Sequence, residues 1–455
     1  MPVLQNSGPR NFYNSYKEEF EEEMKQKKLI GLRSLLLGTA AVMAVGMLTA
    51  NDANATNGYF SHGYSIKNKA LAGAGVALPL DALGSSTNPA ILTEVGDRLD
   101  LGLAVFSPRR EYSVDRGPTS GPPFFELMGG TVESDSEYFF IPSIGWNKML
   151  NENSAFGIAV YGNGGMNTDY PTQTYYDPTS NTTGVDLMQL FIAPTYAHKF
   201  AGKHSVGITP IIAVQFFEAQ GVLSFADYSW ASDKLSGNDH DSAFGFGGRI
   251  GYLGQLNEMF SIGLAYQSKI YMDEFDDYAG LFAEQGDFDI PANWTVGIAV
   301  KPIPEVSIAF DVQQIYYSDV DSIANPLLPN LITDGLGTDK GAGFAWEDMT
   351  VFKIGLQWAR TEQWTYRFGY SYGEQPIPES DVLFNILAPG VIEQHATFGL
   401  TYTFANQGEL DFSLMYAFSN DVRGTNPLAN PASDPQYITL TMDQWEVGVG
   451  YSWKF

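Results

Sequence analysis

The chain reads as an all-β protein, a fourteen-stranded antiparallel transmembrane β-barrel with a small N-terminal hatch, or plug, inside its lumen. Three observations carry that reading. Two-residue alternation of large apolar and small or polar side chains recurs along most of the chain and runs to its last residue. The non-aromatic face of those segments is Gly, Ala, Ser and Thr rather than the bulky groups a soluble sandwich packs inside. An export signal precedes them all.

The elements follow in order. Residues 1–23 include the acidic run Lys17-Glu-Glu-Phe-Glu-Glu-Glu23, an odd prefix for a signal that relies on positive charge. They read as an extension ahead of the true initiator, Met24. Residues 24–55 are a secretory signal, with basic Lys25, Lys27, Lys28 and Arg33, an apolar core over 35–48, and Ala53-Asn-Ala55 as the cleavage motif. That core is too short for a membrane span, which needs about twenty residues. Residues 56–95 lack strand alternation and form the hatch, and residues 96–455 form the barrel.

Successive strand side chains point to opposite faces. The last strand therefore sets Trp445, Val447, Val449, Tyr451, Trp453 and Phe455 against Glu446, Gly448, Gly450, Ser452 and Lys454. Leu410, Phe412, Leu414, Tyr416 and Phe418 repeat the pattern, as do Phe398, Leu400, Tyr402 and Phe404. Trp364, Tyr366, Phe368, Tyr370 and Tyr372 follow it, and so do Phe352, Ile354, Leu356 and Trp358. Weaker copies begin near Leu99, Tyr138, Ser154, Gln189, Ser205, Ala243, Met259, Ala292 and Glu305, bringing the total to the even number expected of bacterial barrels. Aromatics gather at strand ends, among them Trp146, Trp294, Trp358 and Trp364, as headgroup-level girdles require.

Composition excludes several function classes. With 25 Lys+Arg against 52 Asp+Glu, the net charge of −27 repels nucleic acid. The first 55 residues are charge-balanced, so the excess falls on the hatch and barrel. Absence of cysteine removes disulfides, thiolate metal sites and Cys nucleophiles. The five histidines, His62, His198, His204, His240 and His395, fit no hydrolytic triad and no His-x-x-x-His metal pair, which points away from an enzyme and away from a metal or cofactor. The acidic runs at Asp273-Glu-Phe-Asp-Asp277 and Asp239-His-Asp241 miss calcium-loop spacing and read as solvated loops. Gly73-Ala-Gly75 lacks the third glycine and the preceding strand of a dinucleotide fingerprint, and Gly245-Phe-Gly-Gly-Arg-Ile-Gly251 reads as a smooth inner wall.

Small residues dominate 70–77, Pro79 interrupts the chain, and residues 81–86 suit a short helix that Asn88-Pro89 ends. A compact segment of this size, translocated ahead of a barrel, fits inside the lumen. Asn57-Gly-Tyr-Phe60, Lys67-Asn-Lys-Ala-Leu-Ala-Gly-Ala-Gly-Val-Ala77, Asp81-Ala82 and above all Asn88-Pro89-Ala90 resemble the N-terminal hatch of the FadL family of outer-membrane long-chain fatty acid transporters. The resemblance continues through Trp346-Glu-Asp348, Trp364-Thr-Tyr-Arg367, Pro376-Ile-Pro378 and the aromatic C-terminus.

The resemblance implies an outer-membrane protein of a Gram-negative bacterium. Its hydrophobic cargo lands in an apolar groove among external loops, passes to a tighter pocket, and leaves sideways through a gap beside a kinked third strand. The partners it implies are the cargo, outer-membrane lipid and lipopolysaccharide, and the barrel-assembly machinery acting on the C-terminal Phe455, with the chain a monomer. In the third strand, Phe156-Gly-Ile-Ala-Val-Tyr161 alternates well and then becomes Gly162-Asn163-Gly164-Gly165, glycines of the kind that mark bends and bulges. Inward cations that suit a cargo carboxylate are Arg367 and Lys353, expected as a pair on neighbouring strands, with Arg249 and Lys269 as further options. Arg367 occupies the place of a family arginine in the Trp-Thr-Tyr-Arg run. Phe124, Phe125, Leu127, Met128, Leu327, Leu328, Leu331 and Ile332 are too apolar for ordinary external loops and are expected to line the groove. Neutral aromatic or aliphatic hydrocarbons are the alternative cargo, and a structural or adhesive barrel is the alternative of a different class.

Overall fold

The structure is a computed structural model that describes residues 57–455. The extension and signal expected over 1–55, and Thr56, lie outside the described residues. Fourteen strands form one antiparallel sheet that closes on itself. They are β1 (Arg98–Val114), β2 (Phe139–Asn151), β3 (Ser154–Tyr170), β4 (Thr183–Phe200), β5 (His204–Gln220), β6 (Asp241–Gln255) and β7 (Phe260–Gln267), followed by β8 (Asn293–Ile303), β9 (Val306–Ile315), β10 (Met349–Ala359), β11 (Trp364–Gly373), β12 (Gln394–Thr403), β13 (Glu409–Thr425) and β14 (Tyr437–Lys454). Each pairs with its sequence neighbours, and β14 returns to β1 from Arg98↔Lys454 to Val114↔Ile438. Closure leaves the sheet no first or last strand with a whole edge in lipid, where an unpaired N–H or C=O costs several kcal/mol. Two short strands in the external loops, Gly130–Glu133 and Tyr271–Met272, pair with β1 and β6.

The alternation read from the sequence places the side chains as expected. On β10, Phe352, Ile354, Leu356 and Trp358 face outward, each more than a third exposed, whereas Lys353 between them is buried in the lumen. Strand starts fall close to the expected positions with two corrections: β4 begins at Thr183 rather than near Gln189, and β14 at Tyr437 rather than Trp445. The cause is the same in both. Beyond the apolar band the outward positions turn polar, as at Asp186, Thr439, Thr441 and Asp443, so alternation fades while the hydrogen-bond ladder continues.

Short turns such as 152–153, 201–203 and 304–305 join the strands at the end that carries Arg98 and Lys454, while long segments such as 115–138, 221–240, 268–292 and 316–348 join them at the other. In outer-membrane barrels the short turns are periplasmic and the long loops external. Among the described residues no helix is long and apolar enough to cross a membrane.

The hatch fills the periplasmic half of the lumen from Ser65 onward, while its first residues, 57–61, reach the external half of the strand Ser154–Tyr170. Its helix α1 (Ile66–Lys69) is capped by Ser65, whose hydroxyl accepts from the Asn68 N–H at 3.1 Å. A 3-10 turn spans Ala82–Ser86 and a second spans Pro89–Thr93. Asn88-Pro89 therefore starts a helical turn instead of only ending one. Asn88 caps it by accepting from the Ala90 N–H at 3.1 Å, and Pro89 sits at the first helical position, where its missing N–H has no intrahelical partner to lose.

Barrel side chains hold the hatch by its backbone. Asp311 accepts from the N–H groups of Gly75 and Val76 at 2.7 and 2.9 Å, Asp100 accepts from Ala82 at 2.8 Å, and Asn147 donates to the carbonyls of Leu92 and Gly96. Asn88 donates to the carbonyls of Val76 and Tyr252, tying the hatch to itself and to β6. Gly251 makes that contact sterically possible, because a Cβ there would lie 2.1 Å from Asn88 Oδ1. On the external side of the hatch, one apolar cluster fills the lumen and runs out among the loops, with Tyr59, Phe60, Phe288, Tyr317, Trp346 and Phe384 among its members.

Candidate functional site

The ladder between β2 and β3 is incomplete. Pairing runs from Asn151↔Ser154 to Ser143↔Tyr161 and stops, although β2 continues to Phe139 against β1 and β3 continues to Tyr170 against β4. The register of β3 on β4 shifts between Gly162 and Gly164, leaving Asn163 as an extra residue. A bulge bends its strand, and here it carries the external half of β3 away from β2. The expected kink at Gly162, Asn163, Gly164 and Gly165 is therefore a bulge inside the strand, and the sheet is open on its β2 side from Gly162 to Tyr170.

Other groups meet that edge. Phe60 of the hatch bridges to Gly164, the Ser61 N–H donates to the Asn163 carbonyl at 2.9 Å, and the Gly165 N–H donates to the Tyr59 carbonyl at 3.0 Å. The approach is close enough that a Cβ on Gly164 would lie 1.9 Å from the Tyr59 carbonyl oxygen. Asn163 turns its side chain into the lumen, accepting from the Tyr64 hydroxyl at 3.2 Å and donating to Gln189 Oε1 at 2.9 Å. Further out, the Asp135 N–H donates to the Asp169 carbonyl at 2.8 Å. Arg110 donates to the carbonyls of Asn167, at 2.5 Å, and Ser136, with its guanidinium 5.4 Å from the Phe139 ring centre.

Sequence reasoning missed Arg110. It stands in Pro108-Arg-Arg-Glu111, where alternation says which arginine faces inward only once the register is fixed. Beside it a cavity of about 10 Å³ is bordered by Met166, Asn167, Trp346 and Met442. The aromatic cluster closes over the same region: Tyr59 lies 5.3 Å from Phe60, 5.3 Å from Tyr317 and 6.0 Å from Trp346, ring centre to ring centre. Trp346 donates its indole N–H to Asn385 at 2.6 Å.

Of the four cations read from the sequence, Arg249, Lys353 and Arg367 are buried in the lumen but are not all together. Arg249 and Lys353, on β6 and β10, border one small cavity between hatch and wall. Arg367 does not pair with Lys353, because the register sets Lys353 opposite Ser371 and Arg367 opposite Gln357. Arg367 donates instead to Gln357 at 2.8 Å and to the Thr401 hydroxyl at 2.5 Å. Lys269 belongs to an external loop and pairs with Asp289 at 2.9 Å. Of the loop residues, Leu127, Leu327 and Leu331 are buried in the apolar cluster, with Phe125 and Leu328 packed against it. Phe124 is half-buried outside it, while Met128 and Ile332 are exposed. Phe125 meets Tyr175, Tyr176 and Phe225 through ring contacts.

His62 of the hatch stacks on His395 of β12 with ring centres 5.9 Å apart. Burial, then the charge of Lys69, the neighbouring His395 and Lys353, hold the His62 imidazole well below its usual pKa, so it is neutral.

Residues 46–455 match the family described as outer membrane protein transport protein (OMPP1/FadL/TodX). A long-chain fatty acid transport protein of Salmonella typhi is 21% identical over 428 residues, covering 86% of this chain and 94% of the relative. The crystal structure of a Pseudomonas aeruginosa FadL homologue superposes with a TM-score of 0.66 at 16% identity, over 88% of this chain and 100% of that one. The Pseudomonas putida toluene transporter TodX superposes with a TM-score of 0.62 at 17% identity, over 87% and 99%. Barrel, hatch and family match agree, and the chain belongs to the OMPP1/FadL/TodX family of outer membrane transport proteins of Gram-negative bacteria.

Proposed function

We propose that this chain passes hydrophobic molecules inward across the outer membrane without an energy source, and that long-chain fatty acids are its cargo. Cargo lands among the external loops at Phe125, Leu127, Leu327 and Leu328, moves along the aromatic cluster, and leaves sideways between β2 and β3. One observation carries the reading. The open edge of β3 is covered by non-covalent contacts from the hatch segment Tyr59–Ser61, which can exchange for cargo without breaking the barrel ladder. Sideways exit is also favoured energetically, since each methylene that enters lipid rather than water gains about 0.8 kcal/mol. The relative named as a long-chain fatty acid transport protein supports the choice of cargo.

A second reading takes neutral aromatic compounds by the same route. It is supported by the likeness to the toluene transporter and by the ring-rich cluster at Tyr59, Tyr317 and Trp346, where no carboxylate partner is needed. On either reading the chain acts without catalysis and without a cofactor. It works as a monomer, in contact with lipopolysaccharide, after insertion through the exposed aromatic terminus at Phe455.

Deleting Asn163 removes the extra residue and lets β3 continue in register. Uptake of labelled oleate by cells carrying the deletion should fall at least about tenfold, a modest loss for a step with its exit closed, while the barrel remains folded in outer membranes. Unchanged uptake of both oleate and toluene by the deletion variant would refute sideways exit. Loss of toluene uptake with oleate uptake retained would favour the second cargo class.

A further inference from the structure

Between hatch residues Ser61–Asn68 and the inner wall lies a cavity of about 20 Å³, room for one or two water-sized particles. His62, Gly73, Arg249, Gln267, Gln313 and Lys353 line it, and its lining contains no Asp or Glu although the whole chain carries a net charge of −27. Arg249 donates only to neutral acceptors there: the Ser85 carbonyl at 3.3 Å, the Tyr161 hydroxyl at 3.0 Å and Gln267 Oε1 at 2.5 Å. Lys353 donates to Gln313 Oε1 at 2.8 Å.

The carboxylate opposite Lys353 in register is Asp311, and it is turned to the hatch N–H groups of Gly75 and Val76. Two buried cations therefore face one carboxylate, leaving one positive charge in excess. A buried charge without a counter-charge is costly.

The hydrogen-bonding groups are as unbalanced as the charge. Gln267 turns its oxygen to Arg249 and so leaves its amide nitrogen without a partner, and of the two His62 ring nitrogens one meets the Lys69 backbone while the other is likewise unpartnered. Each of these side chains is 1% exposed. Buried polar atoms of this kind normally have partners. The site offers N–H donors and an uncompensated positive charge within a space of atomic size.

Water would satisfy donors but not the charge. An alkyl acid has no room for its tail, because the rest of the lining is Gly, Ser, Thr, Asn, Ala265 and the Tyr64 ring. We infer that this cavity is a halide site, filled by chloride, that fastens the hatch to β6 and β10. The site is distinct from the cargo path and holds whichever cargo is correct. Chloride bound only when the hatch is docked stabilises the docked state by mass action, so the ion acts as a latch.

The test uses the full chain in detergent. Crystals grown in sodium bromide should show an anomalous peak in the cavity between Arg249 and Lys353. Hydrogen exchange over residues 57–93 should be slower in chloride than in gluconate at equal ionic strength, by about tenfold when chloride is ten times its Kd. Lys353→Met should abolish both the peak and the salt difference. Should that variant fail to fold, Gln267→Leu keeps the volume while removing one donor and should weaken halide binding about tenfold. A cavity without a bromide peak, or wild-type exchange identical in the two salts, overturns the proposal.

Discussion

Lys69 of the hatch helix lies 2.5 Å from Glu446 of β14, both side chains almost wholly buried, while two residues earlier Lys67 lies 2.5 Å from Glu409 and 3.7 Å from Asp411 of β13. Arg98 and Lys454 join the same Glu409, so a network of charges ties the start of the hatch to the seam where the barrel closes. The directional contacts add to apolar burial, since Tyr59, Phe60, Leu71, Leu83, Ile91 and Leu92 of the hatch are also packed in apolar clusters.

Glu446→Gln removes the counter-charge of Lys69. Breaking one side of a buried pair costs about 3–5 kcal/mol, enough to raise hydrogen exchange over residues 57–93 by two or more orders of magnitude. The barrel strands should keep their protection. Equal loss of protection in hatch and barrel would show that the pair supports the whole fold rather than the docking of the hatch.

Gly164→Val places a Cβ where the Tyr59 carbonyl now sits, 1.9 Å away. The hatch segment must leave the β3 edge, and the two backbone hydrogen bonds it shares with Asn163 and Gly165 go with it. Barrel assembly, measured by heat-modifiable migration in gels, should be retained. Protease access to residues 57–61 should increase, and retention of wild-type resistance would count against the close approach.

His62 supplies a pH dependence whose sign follows from its environment. Its docked pKa lies below the ordinary 6.5, so the released hatch binds more protons than the docked one at pH values between the two. Docking stability is therefore fully present above about pH 6.5 and declines as pH falls below it. At fixed chloride, exchange of hatch amides should accelerate on acidification in the wild type. In His62→Gln this acceleration should shrink; an unchanged profile would place the sensor elsewhere.

Trp346→Phe deletes the indole N–H that Asn385 accepts at 2.6 Å within the aromatic cluster. An unsatisfied buried acceptor costs about 1–3 kcal/mol. Asn385 also donates to the carbonyls of Phe344 and Asp381, so the loss should loosen the loops that carry them. Thermal unfolding in detergent should fall by several degrees, and no change would mean that a water replaces the indole.

Alternation in residues such as Phe352 to Trp358 was enough to assign the lipid-facing side, because a strand has only two faces and hydrocarbon tolerates one kind of side chain. The same rule located the buried Lys353 and Arg367. It could not say that they fail to meet, since that depends on register, and a shift of two residues leaves each face unchanged. Likewise the glycines at 162–165 marked a bend, but alternation carries no information on which strand lets go of which.

The amino-acid order by itself determined the barrel, the number of its strands, the polar inner wall and the plug marked by Asn88-Pro89-Ala90. Barrel, strand number and inner wall follow from local periodicity and from residue types that act on their immediate neighbours, whereas the plug follows from the resemblance of Asn88-Pro89-Ala90 to the family's hatch. Tertiary structure alone decided that Arg249 and Lys353 share a cavity with His62, that Phe60 covers the free edge of β3, and that Arg110 donates to the Asn167 carbonyl on that edge. Such meetings join residues far apart in the chain, and only closure of the sheet, which fixes every register at once, brings them within hydrogen-bonding distance.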